Sequence, residues 1–263
     1  MQIPKVLLNA PLGIQSYLTP TLLNKIDPNN TLGLALTYDI LKYSSQNVKE
    51  FISQPNRFVL VYPEGSKLQE KSNTYTVATS TCALKVDMEQ LKQLNADLIV
   101  APNQQFNQFK DNITRTKVQQ EIASLTDFNA FFITKQFQLT ENQIVFTRSA
   151  EIAEKALELN AQVVLDVQND FNLFKKYIKS KMSLVVNFQT TLAEEEIGLT
   201  NENMHFARNN AHTNSFKRIE DACNLECCQN NAGYIRHLIN THELLGKTYL
   251  AMHNVGWIMR QIE

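Results

Sequence analysis

The sequence predicts an α/β protein whose central sheet is mostly parallel. Short apolar runs rich in β-branched residues alternate with amphipathic stretches along the 263 residues, which is the pattern of strands joined by crossover helices. Some runs, such as Val163-Val164-Leu165, are apolar at every position, as expected for strands that are covered on both faces. A closed (α/β) barrel and an open doubly wound sheet both fit this alternation and this length.

The predicted strands are short segments of apolar and β-branched residues bounded by turn-forming residues. One of them, Thr76–Val86, is long enough for two strands. The predicted strands are Lys5–Asn9, Leu32–Thr37, Phe58–Tyr62, Thr76–Val86, Asp97–Ala101, Ala130–Thr134, Gln143–Thr147, Gln162–Val167 and Leu184–Phe188.

The predicted helices are segments whose apolar residues recur at helical spacing. Ser149, followed by Glu151 in the first turn, is a typical helix start. In that helix Ile152, Ala156 and Leu159 form an apolar stripe that we expect to pack on the sheet. The predicted helices are Asp39–Ser53, Asp87–Leu94, Arg115–Leu125, Ala150–Leu159, Asp170–Ser180, Tyr234–Gly246 and Tyr249–Ile262.

The composition of the chain changes after about Leu199. Residues 201–215 are polar and rich in Asn and His, a cysteine-rich segment follows, and a final stretch has the helical pattern. We therefore expect an α/β body at residues 1–198. Residues 199–263 are expected to form a helical appendix that is tied by a metal and packed on that body.

Charge and composition exclude several classes of function. The formal net charge of −1 provides no overall field that would draw the chain onto nucleic acid, so an RNA contact needs a local basic patch. The 7 glycines form neither Gly-x-Gly-x-x-Gly nor Gly-x-x-x-x-Gly-Lys, which argues against a phosphate-binding loop of those kinds. The N-terminus lacks the features of a secretory signal, and no run approaches the roughly 18 apolar residues of a transmembrane helix. These features predict a cytoplasmic protein.

Three of the 4 cysteines lie within six positions near the C-terminus. Cys223, Cys227 and Cys228 are followed, 25 residues later, by His253, and thiolates with a neutral imidazole are the ligands that structural Zn²⁺ prefers. The clustering fits a metal in a reducing compartment better than a disulfide scaffold. In the alternative interpretation the cysteines are small buried hydrophobic residues and His253 is a surface histidine. The fourth, Cys82, is expected in the core.

An ordered set of motifs surrounds these cysteines. Phe216 stands seven residues before Cys223, and three further motifs come after Cys228. Those motifs are Tyr234–Leu238, Glu243–Gly246 and His253-Asn254. In this order the set resembles the C-terminal zinc region of the tRNA-guanine/queuine transglycosylase family. Cys223 and Cys228 match the family's first and third cysteines, whereas Leu225 occupies the place of the second, so Cys227 would substitute for it as a ligand.

The resemblance extends upstream and carries implications for the fold. Leu7–Gly13 and Ala96–Asn103 resemble two further segments of the family. The family fold is an (α/β)₈ barrel with a zinc-bearing insertion near a dimer interface. By resemblance, therefore, we expect a TIM-type barrel and one Zn²⁺ held by the three cysteines and the histidine named above. Because the chain is shorter than typical members, some barrel elements are expected to be trimmed.

The resemblance also bears on catalysis. Catalytic members have an aspartate that is essential to base exchange where this chain has Asn103, and an amide cannot serve as base or nucleophile. Their nucleophile motif has no clear counterpart, and Asp166 aligns with it only after a one-residue shift. The resemblance therefore implies a non-catalytic accessory subunit. Such a subunit pairs with a catalytic queuine tRNA-ribosyltransferase subunit and helps to bind tRNA for guanine-to-queuine exchange at the wobble position.

Other interpretations of the function stay open at this point. The barrel could serve as a structural subunit of an unrelated assembly, or the chain could be an active enzyme that uses Asp97 or Asp166. The family resemblance adds an association with the mitochondrial outer surface to the predicted cytoplasmic location. The basic residues Arg208, Lys217, Arg218, Arg236 and Lys247 are candidate contacts to tRNA, and the alternative interpretation is that they are ordinary solvated residues.

Overall fold

A computed structural model gives thirteen strands and seven helices within the residues that it describes. It describes residues 2–9, 19–38, 56–63, 67–71, 74–78, 83–86, 88–101, 129–133, 143–199, 204–205 and 229–262. Its strands are β1 Val6–Leu8, β2 Gly33–Thr37, β3 Val59–Tyr62, β4 Lys67–Lys71, β5 Thr74–Ala78, β6 Ala83–Val86, β7 Leu98–Ala101, β8 Asn129–Phe132, β9 Gln143–Thr147, β10 Gln162–Gln168, β11 Ser183–Val186, β12 Ile197–Gly198 and β13 Met204–His205. Its helices are α1 Pro20–Ile26, α2 Met88–Gln93, α3 Ala150–Glu158, α4 Phe171–Tyr177, α5 Phe188–Glu194, α6 Ala232–Asn240 and α7 Leu244–Ile262.

Eight parallel strands close into a barrel. Going round the ring, the strands follow the order β1, β2, β3, β7, β8, β9, β10 and β11. The ring closes because β1 pairs in parallel with β11, through Val6 with Leu184 and Leu8 with Val186. The closed barrel is therefore correct and the open sheet is excluded, and the ring retains all eight strands of a TIM-type barrel.

Two apolar clusters on opposite faces of the strands stabilise the barrel. In β1, Leu7 points into the barrel interior, whereas Val6 and Leu8 face the surrounding helices. The strands are therefore buried on both faces, which explains why they are apolar at consecutive positions. The interior cluster comprises Ile3, Leu7, Ala35, Phe58, Leu60, Tyr62, Leu98, Val100, Ala130, Ile144, Phe146, Val164 and Val185.

An aromatic cluster joins the C-terminal helix to the barrel. The ring centroid of Trp257 on α7 lies 5.4 Å from that of Phe171 and 6.3 Å from that of Phe174, both on α4. Phe188 on α5 packs edge-on against Phe174 with centroids 5.1 Å apart. Because α7 shares this core with α4 and α5, the end of the predicted appendix packs directly on the outer layer of the barrel.

A buried ion pair stabilises the end of the barrel where the strands begin. Arg57 Nη1 lies 2.8 Å from Asp27 Oδ2, and both side chains are fully buried. The other oxygen of Asp27 accepts hydrogen bonds from the backbone N–H and the hydroxyl of Thr31. Arg57 also donates to the carbonyl oxygens of Leu32 and Asp27. Both buried charges therefore have hydrogen-bond partners in addition to each other, without which their burial would be costly.

The structure corrects the prediction of one helix over Tyr234–Gly246. Helix α6 ends at Asn240, where His242 adopts a left-handed backbone conformation with φ of 57°. The His242 N–H donates to Ile239 O and the Glu243 N–H donates to Leu238 O, which is the hydrogen-bond pattern of a Schellman motif. The prediction missed this end because such a position is usually occupied by glycine.

Other differences concern short elements. The segment Thr76–Val86 contains two strands as allowed, but β4, which pairs with β5 in a separate antiparallel sheet, was not predicted. Helices α1 and α5 were also missed, and α5 begins inside the predicted strand Leu184–Phe188. The predicted helices Asp39–Ser53 and Arg115–Leu125 lie outside the described residues, as does Cys82. Within the described part of the chain, no helix is both long and apolar enough to cross a membrane.

Candidate functional site

His253 and Asn254 on α7 hold the segment that leads from the barrel into the cysteine-rich region. His253 Nε2 lies 2.6 Å from the carbonyl oxygen of Leu199. The side-chain oxygen of Asn254 accepts the Leu199 N–H at 2.8 Å, and its amide donates to Ile197 O at 3.1 Å and to Gln189 O at 3.0 Å. His253 and Asn254 are fully buried. Asn254 therefore ties α7, β12 and α5 together.

This arrangement fixes the chemistry of the His253 ring. Because a carbonyl oxygen can only accept, the contact with Leu199 places the proton on Nε2. In the predicted zinc site, Nδ1 would then be the ring nitrogen that binds the metal. A metal-binding histidine commonly donates its other N–H to a backbone carbonyl in this way. His253, the described residue of the predicted zinc site, therefore has a hydrogen bond of the kind that a Zn²⁺ ligand commonly makes.

The three cysteines of the predicted zinc site, Cys223, Cys227 and Cys228, lie outside the described residues, as does Leu225. Among the residues that are described, no three His, Cys, Asp or Glu side chains are grouped closely enough to hold a metal ion. The zinc site thus stays a prediction, and His253 is the residue of it that the structure describes.

Gly246, the last residue of the Glu243–Gly246 motif, allows α6 and α7 to approach each other closely. A Cβ atom added to Gly246 would lie 3.0 Å from Ile239 Cγ1 and 3.1 Å from the Ile239 backbone nitrogen. Any larger residue at this position would push the two helices apart. The Glu243–Gly246 motif therefore has a packing role, which sets the position of α7 and, with it, that of His253.

The carboxyl ends of the barrel strands form the face on which TIM barrels carry their active sites. At this face Asp166, in β10, is paired with Arg148, which directly follows β9. The distance from Arg148 Nε to Asp166 Oδ2 is 2.8 Å, and the second Asp166 oxygen accepts the Gln168 N–H at 3.1 Å. Only 1% of the Asp166 side chain is exposed, so this carboxylate is buried and contacts Arg148 and the backbone rather than solvent.

Aromatic side chains also lie inside the barrel, in its interior apolar cluster. The rings of Tyr62 and Phe146 have centroids 4.7 Å apart, and Asn9 donates from Nδ2 to the Tyr62 hydroxyl at 2.9 Å. Gln189 donates from Nε2 to the Asn9 carbonyl at 3.2 Å. The described part of the barrel mouth is thus lined by hydrogen-bonded amides and closely packed rings.

The other candidate aspartate, Asp97, lies at the opposite end of the barrel. It precedes β7, and its Oδ2 accepts the Val59 N–H at 2.7 Å, next to the start of β3. This position makes Asp97 a structural residue of the strand-start face, because the barrel separates it from the mouth. Asn103 lies outside the described residues.

The surface formed by α6 and the start of α7 exposes large apolar side chains. Tyr234 is 41% exposed, Leu244 63% and Leu245 41%. In contrast, Arg236 is only 8% exposed, so its prediction as a surface contact to tRNA is wrong. Lys247 is half-buried, and the other predicted contacts, Arg208, Lys217 and Arg218, lie outside the described residues.

Two residues with clear roles in the structure were not predicted. Arg148 follows a strand directly and lies two positions after the inward-facing Phe146, so strand alternation alone could have placed it in the mouth. Asn254 was noted only as part of a motif, and the sequence gives no sign of its partners because Leu199 lies 55 positions away.

Comparison with known proteins gives a family match for the C-terminal part of the chain. Residues 184–263 match the family model described as Queuine tRNA-ribosyltransferase. This segment contains β11 except its first residue, the helices α5 to α7 and the His253-Asn254 pair. The match therefore covers the end of the barrel and the predicted zinc region.

Individual relatives match over similar short segments. The queuine tRNA-ribosyltransferase of Synechococcus elongatus is 33% identical over 72 residues, which cover 27% of this chain and 19% of that protein. That of Pelotomaculum thermopropionicum is 33% identical over 75 residues, covering 28% of this chain and 20% of its own length. A third, from Prochlorococcus marinus strain MIT 9215, is 27% identical over 100 residues, which cover 24% of that protein. The chain thus covers a quarter or less of the length of each of these three relatives.

Proposed function

We propose that this chain is a non-catalytic accessory subunit of a queuine tRNA-ribosyltransferase. The closed parallel barrel and the match of residues 184–263 to that family support the family part of the proposal. The observation that carries the non-catalytic part is the state of Asp166, an acidic side chain at the described mouth. Its two oxygens are occupied by Arg148 and by a backbone N–H.

The chemistry of base exchange explains why this observation matters. Replacing one base by another on a ribose calls for a carboxylate that bonds to the sugar carbon, or stabilises its positive charge, as the base leaves. A carboxylate that is buried and paired with a guanidinium is held as a stable anion and is a poor nucleophile. Asp166 therefore serves to hold Arg148 and the end of β10 in place.

Zinc has a structural role in this proposal. Cys223 and His253, with Cys227 and Cys228, hold one Zn²⁺ that ties the cysteine-rich segment to α7. The contact of His253 Nε2 with Leu199 O supports this assignment because metal-binding histidines commonly donate their other N–H to a backbone carbonyl. When bound, zinc supplies a crosslink and takes no part in base exchange.

The apolar surface of α6 and α7 suits a subunit contact. Tyr234, Leu244 and Leu245 are exposed although each would gain stability from burial. Aromatic side chains of this kind commonly anchor protein interfaces. In the proposal, this surface packs against the catalytic subunit, while Leu238 and Ile239 on the other side of α6 pack in the core.

Co-expression with a catalytic queuine tRNA-ribosyltransferase tests the proposal. We expect the two chains to co-purify at equal stoichiometry, and the pair, but not this chain alone, to incorporate labelled guanine into tRNA. Asp166→Asn in this chain should leave the activity of the pair within about twofold, because Asp166 has no chemical role. The double variant Tyr234→Ala with Leu244→Ala should, by contrast, weaken binding to the catalytic subunit, because both side chains lie on the proposed contact surface. Exchange by the isolated chain would overturn the non-catalytic role, and co-purification with an unrelated assembly instead would favour the structural-subunit interpretation.

The zinc assignment has a separate measurement. We expect elemental analysis to find close to one zinc per chain in the wild type and none after Cys223→Ser or His253→Ala. A folded wild-type chain without zinc would contradict the assignment and leave the subunit proposal untouched.

A further inference from the structure

The end of α4 and the loop that follows it carry a dense group of lysines. Lys175, Lys176, Lys179 and Lys181 lie within seven positions and are all exposed; these four residues are called the lysine cluster below. No acidic residue occurs between Asp170 and Glu194. In a chain with a net charge of −1, this concentration of positive charge is a local feature of one surface.

Two contacts extend this positive surface to other elements. Lys179 Nζ donates to Gln261 O at 2.8 Å, which places the cluster next to the exposed Arg260 of α7. Lys5, which precedes β1, donates to the carbonyl oxygens of Ser180 at 2.5 Å and Met182 at 2.6 Å. Burial and the neighbouring charge of Lys179 lower the pKa of Lys5 to about 8. Burial is the larger of these two causes.

The stabilisation of a helix end accounts for only part of the cluster. Lys175 and Lys176 lie in the last turn of α4, where a cation favours the helix dipole. Lys176 also pairs with Glu154 at 3.0 Å. Lys179 and Lys181 lie beyond the helix, and the dipole effect is confined to its last turn. The dipole of α4 therefore accounts for neither Lys179, which donates to Gln261 O at the end of α7, nor Lys181.

The position of the lysine cluster restricts what it can serve. The loop that contains Lys179 and Lys181 leads into the start of β11, so the cluster lies at the end of the barrel opposite to the mouth. A phosphate bound there would lie on the face opposite to the mouth of the same chain. Such a surface suits a subunit that holds a substrate for a partner's active site.

We propose that the lysine cluster is a contact surface for the sugar–phosphate backbone of RNA, a proposal that rests on the function proposed above. Exposed ammonium groups on a rigid helix end and a short loop can each neutralise a phosphate without reading the base sequence. An anionic membrane is the less suitable partner because the apolar side chains of this segment, Phe174 and Tyr177, are buried in the core and cannot insert into a bilayer.

Binding of a tRNA transcript as a function of salt tests the surface directly. The test variant K175Q/K179Q/K181Q is compared with K25Q/K92Q/K155Q, which removes the same charge from helix ends elsewhere on the protein. In the test variant we expect the slope of log K against log salt to fall in magnitude by about 2 to 3, and the affinity near 0.1 M salt to fall about tenfold or more. The control variant should keep the wild-type slope.

Each alternative outcome overturns the proposal. Equal losses of RNA affinity in the two variants would show that only the net charge of the protein matters. Unchanged RNA affinity in the test variant would show that the lysine cluster does not bind RNA. Loss of binding to phosphatidylserine vesicles without loss of RNA binding would assign the surface to a membrane. Thermal unfolding of both variants establishes that they are folded. RNA binding is measured without the catalytic subunit, so a failure to co-purify with that subunit would affect only the function proposed above.

Discussion

Asn254 is the residue at which the barrel and the predicted zinc site meet. Its amide satisfies the Leu199 N–H and two carbonyl oxygens, and the same Leu199 orients the ring of His253. Asn254→Ala should lower the free energy of unfolding by about 3 kcal/mol, because these buried groups lose their partner. It should also weaken zinc binding about tenfold or more, since outer-shell partners orient metal ligands.

Chelator competition and denaturant unfolding of Asn254→Ala measure the two effects. Thr190→Ala is the matched control, since the Thr190 hydroxyl is buried and donates only to Asn187 O among the contacts described. The control should lose stability and keep the wild-type zinc affinity. A similar loss of affinity in both variants would mean that Asn254 acts only on stability.

Arg57 and Asp27 form the second set of buried polar contacts with a large expected effect. Arg57→Met removes one partner and leaves Asp27 buried with its charge uncompensated. We expect the free energy of unfolding to fall by about 3–5 kcal/mol. Urea unfolding measures this change, and the double variant Arg57→Met with Asp27→Leu should recover part of the loss. A single variant as stable as the wild type would show that the pair contributes little.

At the scale of elements, the end of α6 offers a stabilising substitution. His242 adopts the left-handed conformation, which costs a residue with a side chain roughly 1–2 kcal/mol relative to its usual backbone. His242→Gly should therefore raise the free energy of unfolding by about 0.5–1 kcal/mol, after the larger loss of backbone freedom is subtracted. His242→Ala is the control and should give no such gain. Destabilisation by glycine would indicate that the imidazole makes a contact of its own.

The same element scale shows what the sequence can predict. Strands such as Gln143–Thr147 and the helix after Ser149 were predicted at their observed positions, because apolar periodicity and capping are local signals. The end of α6 and the whole of α5 were missed. In α5 the capping position is Asn187, which makes no side-chain capping hydrogen bond, so the usual signal is weak.

The candidate sites follow the same rule. His253 could be predicted from its spacing to the cysteines, whereas its contact with Leu199 depends on the packing of α7 against α5. The pairing of Asp166 with Arg148 depends on the neighbouring positions of β9 and β10 in the ring, which no local pattern reveals. Likewise, the burial of Arg236 became evident only when α6 was seen to pack in the core.

At the scale of the whole molecule, the barrel and the C-terminal helix form one cooperative unit. Trp257 packs against Phe171 and Phe174, so Trp257→Ala should cost about 3–5 kcal/mol. Deletion of residues 199–263 should abolish cooperative thermal unfolding, because it removes α7 from the shared core. Calorimetry of both proteins measures these effects. A truncated chain with a sharp transition would show that residues 1–198 fold independently.

The anchoring of Leu199 has a further consequence for the cost of ordering the cysteine-rich segment. Asn254 fixes the chain at Leu199, and the Asn231 side chain caps α6 where that helix enters the core. The described residues on either side of this segment are therefore held in place without any metal. The entropic cost of bringing the two ends of the segment together is met when the barrel folds. Loss of the proposed zinc should therefore leave the eight-stranded ring closed.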